Sequence, residues 1–330
     1  MTAFGALADG RPVERLRISG GGLTADVLTY GTVIQNLCLE GHDKPLVLGF
    51  PEFAPYLTHS PYFGATAGRC ANRIRDGHLE LAGKTYQLDT NFLGRHSLHG
   101  GLVSMGKRLW TVDNHSAASV TFAITLQDGE MGYPGKLDAT VTYSLLEGGV
   151  LDVVMRARTD APTLCNMAHH SYFNLCSDHV GTYVMRIAAD AYLPVDDELI
   201  PTGEIRPVDG TGMDFREYRP VGDGSPIDHN FCLAKARGAI RPVAWLADQK
   251  SGVSLEVRTT EPGLQVYDSS RVNIAVPGLG GAKMGAYSGI ALEPQVWPDA
   301  NHHPAFPQAV LLPGEDYVQH TQYVFTKDTP

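Results

Sequence analysis

Apolar and polar residues alternate one by one through much of this chain. In SVTFAITL (119–126), Val120, Phe122, Ile124 and Leu126 share one side. In KLDATVTYSL (136–145), Leu137, Ala139, Val141, Tyr143 and Leu145 do the same. A period of two belongs to a strand with one face buried and the other wet. HLELAGKTYQL (78–88) reads as a hairpin that turns near Ala82, Gly83 and Lys84. Further strands are predicted at 24–30, 33–39, 150–158, 183–189, 240–246, 253–258, 264–268, 289–293 and 320–326. No stretch carries the pattern of a long amphipathic helix, and 50–57 offers one short helical turn. Many short strands between Gly, Pro and Asp turns predict an all-β sandwich or barrel. Pro/Gly clusters at 201–226 and 277–285 read as long surface loops. We find no strong repeat, low-complexity tract or linker, so residues 1–330 are expected to form a single domain.

Composition narrows the partners. The 330 residues are 43% hydrophobic and 19% charged, which is enough apolar material for a large core. Lys and Arg number 26 against 36 Asp and Glu, a formal net charge of −10. An acidic surface repels phosphate backbones, which argues against nucleic acid as a partner. No run of about 18 apolar residues exists, so no membrane span is expected. The N-terminus lacks a basic start followed by an apolar core, so no signal peptide is expected. Cys38, Cys70, Cys165, Cys176 and Cys232 form an odd, scattered set without C-x-x-C spacing. That argues for buried, reduced thiols and a cytoplasmic location.

Candidate chemistry lies among the 13 histidines and a few acids. His96 and His99 (RHSLHGG), His169 and His170 (NMAHHSYFNL), and His302 and His303 (DANHHPAFP) stand out. Linear spacing does not support a metal: there is no H-E-x-x-H and no thiolate pair, and adjacent histidines on a strand face opposite ways. Taken singly, each is better read as a hydrogen-bonded loop or core residue than as a ligand. Glu293 follows the apolar run GIAL and precedes PQVWP, so its carboxylate should be partly desolvated and more basic. The structural alternative is a strand-end Glu paired with an Arg. PGLGGAKMG (277–285) lacks a Walker pattern and no Gly-x-Ser-x-Gly occurs, which disfavours nucleotide binding and serine hydrolysis.

Six segments, read together, resemble the aldose 1-epimerase (galactose mutarotase) family. They are GRCANRI (68–74), SLHGG (97–101), HHSYFNL (169–175), DAYLPVDDELIPTGE (190–204), IDHNF (227–231) and ALEPQVWPDANHHPAFP (291–307), and they follow the family's order. The resemblance implies a large antiparallel β-sandwich (supersandwich) with few short helices and a sugar cleft on a concave face. It also implies cofactor-free exchange of the α and β anomers of free aldoses. By position, His170 is implied as general acid and Glu293 as general base. Asn72, Arg73, His99, Asp228 and Gln265 are implied as sugar ligands. Three places depart from the family pattern: His169, where Asn is common, VYDSSRVN (266–273) and Asn301-His302-His303. They bear on which sugar is preferred.

The implied reaction opens a hemiacetal and closes it on the other face, so it needs one base and one acid that exchange roles. Near neutral pH the carboxylate is expected to be ready as the base, and a nearby carboxylate to keep the imidazole protonated. Arg73, which does not lose its proton, is expected to serve as a fixed donor. Asp228 suits two adjacent hydroxyls, and Tyr172, Phe173 or Trp297 could stack on the sugar. The competing readings are a non-catalytic sugar sensor on the same scaffold and an epimerase of phosphorylated sugars. The latter would need more base than Arg69, Arg73 and Arg95 supply. Galactose, glucose, arabinose and xylose are all admitted, as are monomer and homodimer.

Overall fold

The computed structural model describes residues 1–327 apart from 61, 176–178, 223 and 225. Two antiparallel sheets dominate it. The larger has nine strands in the spatial order Thr111–His115, Ser119–Leu126, Leu137–Leu146, Val150–Thr159, Tyr317–Lys327, Val253–Thr259, Arg241–Asp248, Val184–Ile187 and Arg219–Pro220. The smaller has six, in the order Tyr172–Phe173, Ile290–Gln295, Gly263–Tyr267, Asp228–Cys232, Ala191–Leu193 and Arg206–Pro207. A four-stranded sheet at the N-terminus packs beside them.

The alternation in the sequence is what joins the two large sheets. Val141, Tyr143, Leu255, Val257, Tyr323 and Phe325 on the nine-stranded sheet share one core with Phe231, Leu264, Val266 and Leu292 on the six-stranded sheet. Burying these faces is the main favourable term holding the sandwich together. Polar bonds fix the layers across it: Tyr323 Oη donates to the Leu292 carbonyl at 3.0 Å, and Gln319 Nε2 to the Pro294 carbonyl at 2.6 Å. Because side chains alternate along a strand, the residues between the core positions must project from the far side of the six-stranded sheet. Asp228, Asn230, Gln265 and Glu293 occupy that outer face.

The hairpin at 78–88 forms as His78–Leu81 and Lys84–Gln87, with Ala82 at φ 50° and Gly83 at φ 74° in the two-residue turn. The helical turn predicted at 50–57 forms at Ala54–Thr58. The loop at 277–285 holds one 3-10 turn at Leu279–Gly281, whereas the described residues of 201–226 include two-residue strands at Arg206–Pro207 and Arg219–Pro220 and bury Val208, Met213, Phe215 and Val221 in the main core, so this stretch is not a surface loop throughout. Alternation missed Thr2–Ala6, Pro12–Gly20, Thr111–His115 and Asp228–Cys232. The last reads DHNFC, a mostly polar strand, because its outward residues face the cleft rather than a core.

Cys38, Cys70, Cys165 and Cys232 are free thiols, while Cys176 lies outside the described residues. Burial pushes Cys70, Cys165 and Cys232 up to about 12, where they are inert as nucleophiles. Among the described residues, no helix is long and apolar enough to cross a membrane.

Candidate active site

Two chain segments far apart in sequence bring the proposed proton pair together. His170 ends the short strand Ala168–His170, which pairs with Ala65–Ala67, and its carbonyl is held by the Gly64 N–H at 3.0 Å. Glu293 lies inside Ile290–Gln295, flanked on one side by Gly263–Tyr267. His170 Nε2 stands 3.5 Å from Glu293 Oε2, and the residues are 4% and 2% exposed. His170 Nδ1 and Glu293 Oε2 have no hydrogen-bond partner. Polar atoms buried without partners are rare in folded chains and concentrate where a ligand completes them.

Burial decides the charge of this pair. It pushes His170 down to about 4 and raises Glu293 well above the ordinary carboxyl value, the nearby Asp228 carboxylate adding to the rise and Arg73 opposing it. The sequence reading expected a ready carboxylate and a protonated imidazole. Burial instead disfavours charge on both groups and favours the proton on Glu293 over His170. The reason is desolvation: both charged forms lose water, and 3.5 Å of separation without an aligned hydrogen bond does not restore what water gave.

Beside the pair lies a charged bracket. Arg73 Nη2 donates to Asp228 Oδ2 at 3.2 Å, and Gln265 Nε2 donates to Asp228 Oδ1 at 2.7 Å. Arg73 follows Asn72, whose side-chain Oδ1 accepts from the Arg73 N–H at 2.9 Å, and its guanidinium lies 4.9 Å over the Phe92 ring. The chain folds sharply here. Asn72 and His99 both hold positive φ, 62° and 51°, a conformation that costs a residue with a Cβ energy and clusters at functional sites. They lock each other: the His99 N–H donates to the Asn72 carbonyl at 2.9 Å, and the Asn72 N–H donates to His99 Nδ1 at 3.1 Å. Nδ1 is therefore unprotonated, and Nε2 carries the hydrogen. Burial drives the His99 pKa well down, with further lowering from His170, so the ring is neutral.

All seven residues implied by the resemblance thus converge. The structure also makes a cluster that linear spacing could not reveal: one ligating atom each from His99, His170 and Glu293 lies within 4.8 Å of the others. A cation there would have to displace the Nε2 hydrogen of His99 while Nδ1 still accepts from Asn72. That makes the cluster better suited to a hydroxyl than to a metal.

Of the aromatic candidates, Tyr172 faces the cleft, its ring stacked 5.1 Å from His170. Phe173 lies in the main core, and Trp297 packs on Phe306 and donates to the Pro262 carbonyl. Tyr62, which sequence reasoning missed, also stacks on His170 at 5.9 Å between ring centroids and lies 4.5 Å from the His99 ring. Its positive φ of 68° puts it there, and nothing local in HSPYFG signals it. His169 points away from the cleft, bonding Ser171 Oγ at 2.7 Å and Tyr143 Oη at 3.3 Å. His302 and His303 gather on Asp299, His302 Nδ1 at 2.7 Å from its Oδ1. Asp268 accepts the Ile227 N–H at 2.8 Å, a structural role. Of the three departures, VYDSSRVN reaches the site: Tyr267 pairs with Asp228 across the strands and its ring lies 6.0 Å from that of Tyr172.

The family model for aldose 1-epimerase matches residues 14–324. The chain is 41% identical to galactose mutarotase from Mus musculus, covering 98% of each chain. It is 34% identical to aldose 1-epimerase from Escherichia coli (strain K12), covering 96% of each. An aldose epimerase homologue from C. elegans superposes with a TM-score of 0.89 at 31% identity, over 96% of this chain and 100% of that one.

Proposed function

Because the chain belongs to the aldose 1-epimerase family, we propose that it interconverts the α and β anomers of free aldoses by general acid–base catalysis. The observation that carries this reading is the buried His170–Glu293 pair, 3.5 Å apart with an unpartnered atom on each residue, beside the Arg73–Asp228–Gln265 bracket.

Opening the ring requires a proton to leave the anomeric hydroxyl and another to reach the ring oxygen. The pair carries one proton in total, and that is the number required. Sugar hydroxyls entering the cleft solvate the carboxylate and reverse the effect of burial on Glu293, so the proton moves to His170. Glu293 then takes the anomeric proton while His170 gives its own to the ring oxygen. The aldehyde rotates about its first carbon–carbon bond. Reclosure runs with the roles exchanged, which resets the pair. Each positioned proton transfer typically contributes about 10²–10⁴-fold.

The remaining groups hold the sugar by atoms both anomers share. Asp228, fixed on both oxygens by Arg73 and Gln265, keeps lone pairs for hydroxyls. His99 offers its Nε2–H. Tyr172 and Tyr62 wall the ring of His170 from water, which strengthens every charge interaction inside. The arginines available to a phosphorylated sugar are already engaged. Arg69 donates to the Pro134 and Gly135 carbonyls, Arg73 pairs with Asp228, and Arg95 with Asp76 and Glu198. This favours a neutral sugar. Free, inert thiols support a reducing, cytoplasmic setting.

Polarimetry on freshly dissolved α-galactose and α-glucose tests the reading. The rotation should relax far faster with the protein than in buffer. If no aldose relaxes faster, the reading as an enzyme fails and that of a sugar sensor replaces it.

A further inference from the structure

Leu193, Asn230, Gln265 and Glu293 stand in register across four neighbouring strands of the six-stranded sheet. Residues paired in this way share a face. Gln265 and Glu293 belong to the site described above, and Asn230 stands in the same row without a role assigned to it. It is 2% exposed, and neither its Oδ1 nor its Nδ2 has a hydrogen-bond partner. A buried amide with donor and acceptor both unmatched destabilises a fold, and such groups persist where a ligand matches them.

The space around Asn230 fits one small polar group. It lines a cavity of about 10 Å³ together with Arg73, Asp228 and Gln265 and the apolar Val195, Leu199 and Pro298. That is room for one hydroxyl or one water. Gly263 leaves room for the amide itself: a Cβ there would lie 2.5 Å from Asn230 Oδ1 and 2.8 Å from the Trp297 ring. Its φ is not positive, so the demand for glycine here is one of room and not of backbone freedom. Two strand spacings, about 10 Å, separate Asn230 from Glu293 along the row. A pyranose with a hydrogen bond at each end bridges that gap.

We propose that Asn230 is a specificity-determining residue whose amide both donates to and accepts from one hydroxyl of the bound aldose, on the side of the ring remote from the anomeric carbon. The proposal rests on the reading of the chain as an aldose 1-epimerase and adds to it the position at which the cleft inspects the sugar. An amide offers one hydroxyl both a donor and an acceptor, and a sugar lacking that hydroxyl leaves both unmatched in a dry pocket. Sites built in this way reject the deoxy analogue.

The test compares wild type, Asn230→Ala and Asn230→Leu on galactose, glucose and their 2-, 3-, 4- and 6-deoxy analogues. Anomer exchange is followed by NMR, and equilibrium binding of the same sugars is measured in parallel. In wild type, removal of one hydroxyl among the 3-, 4- and 6-positions should lower kcat/KM about tenfold or more. In both variants that penalty should vanish, because the parent sugar falls to the level of the analogue. The 2-deoxy penalty and the pH profile of kcat should not move. Asn230→Leu, of similar size, should keep or raise Tm, since it removes two unmatched buried atoms. The proposal is overturned if the variants slow all sugars by one factor, if only the 2-deoxy penalty changes, or if both variants lose Tm along with activity. If wild type accelerates no aldose, the proposed function fails, and the binding series still decides whether Asn230 discriminates the analogues.

Discussion

His170 Nε2 and Glu293 Oε2 stand 3.5 Å apart in a setting where burial disfavours charge on either. Removing one partner removes a proton transfer without emptying the cleft. Glu293→Gln and His170→Asn should each lower kcat for anomer exchange by roughly 10²–10⁴-fold while KM changes little. Coupled polarimetry and sugar titration separate the two quantities. A large rise in KM with kcat preserved would place the pair in binding and not in chemistry.

The same pair sets the acid limit of activity. It works with one proton, and the second adds to His170 at about 4. The acid limb of kcat/KM, which reports the free enzyme, should fall at about pH 4 and not near the ordinary imidazole value of about 6.5. Rates over this range, corrected for acid catalysis by buffer, check it. A limb near 6.5 would mean that water reaches His170.

His169 gives a separate pH dependence, in stability. Burial pushes it down to about 3, against about 6.5 in an unfolded chain. Below 6.5 the unfolded chain therefore binds more protons. The stability contributed by neutral His169 is complete above about 6.5 and is lost as pH falls from there through about 3. His169→Asn should flatten the dependence of the urea midpoint between about pH 7 and about pH 5. Parallel curves for the two proteins would exclude this source of acid sensitivity.

Asp228 is held by two donors, Arg73 at 3.2 Å and Gln265 at 2.7 Å. Arg73→Lys replaces a forked donor with a point charge and frees the carboxylate to turn. KM should rise about tenfold with a smaller change in kcat, because the group orients sugar and moves no proton. A fall in kcat that exceeds the rise in KM would draw Arg73 into the proton-transfer step.

The Asn72 N–H on His99 Nδ1 predicts the response to metal. With Nε2 protonated, the cluster of His99, His170 and Glu293 presents a donor where a cation needs a lone pair. Prolonged treatment with EDTA should leave the exchange rate unchanged. A loss restored by added zinc would contradict the assigned tautomer.

Alternation alone determined the all-β class, the long strands of the nine-stranded sheet and the hairpin at 78–88, because burying one face of a strand leaves a period-two trace. The ordered segments carried six of the seven site residues, and Gln265 lies outside them in PGLQVY (262–267). Local sequence could not supply Tyr62, which reaches His170 through a positive φ, or the strand Asp228–Cys232, whose outward residues are polar because they line the cleft. It could not tell Tyr172 from Phe173 and Trp297, since all three are buried and only packing decides which faces His170. The tertiary structure alone set the direction in which burial biases the protonation of the pair. Whether His170 and Glu293 carry charge depends on the water that the folded sheets exclude, and no local sequence records that exclusion. It likewise set Asn230 in line with Gln265 and Glu293, a relation of strand register between segments distant in the chain.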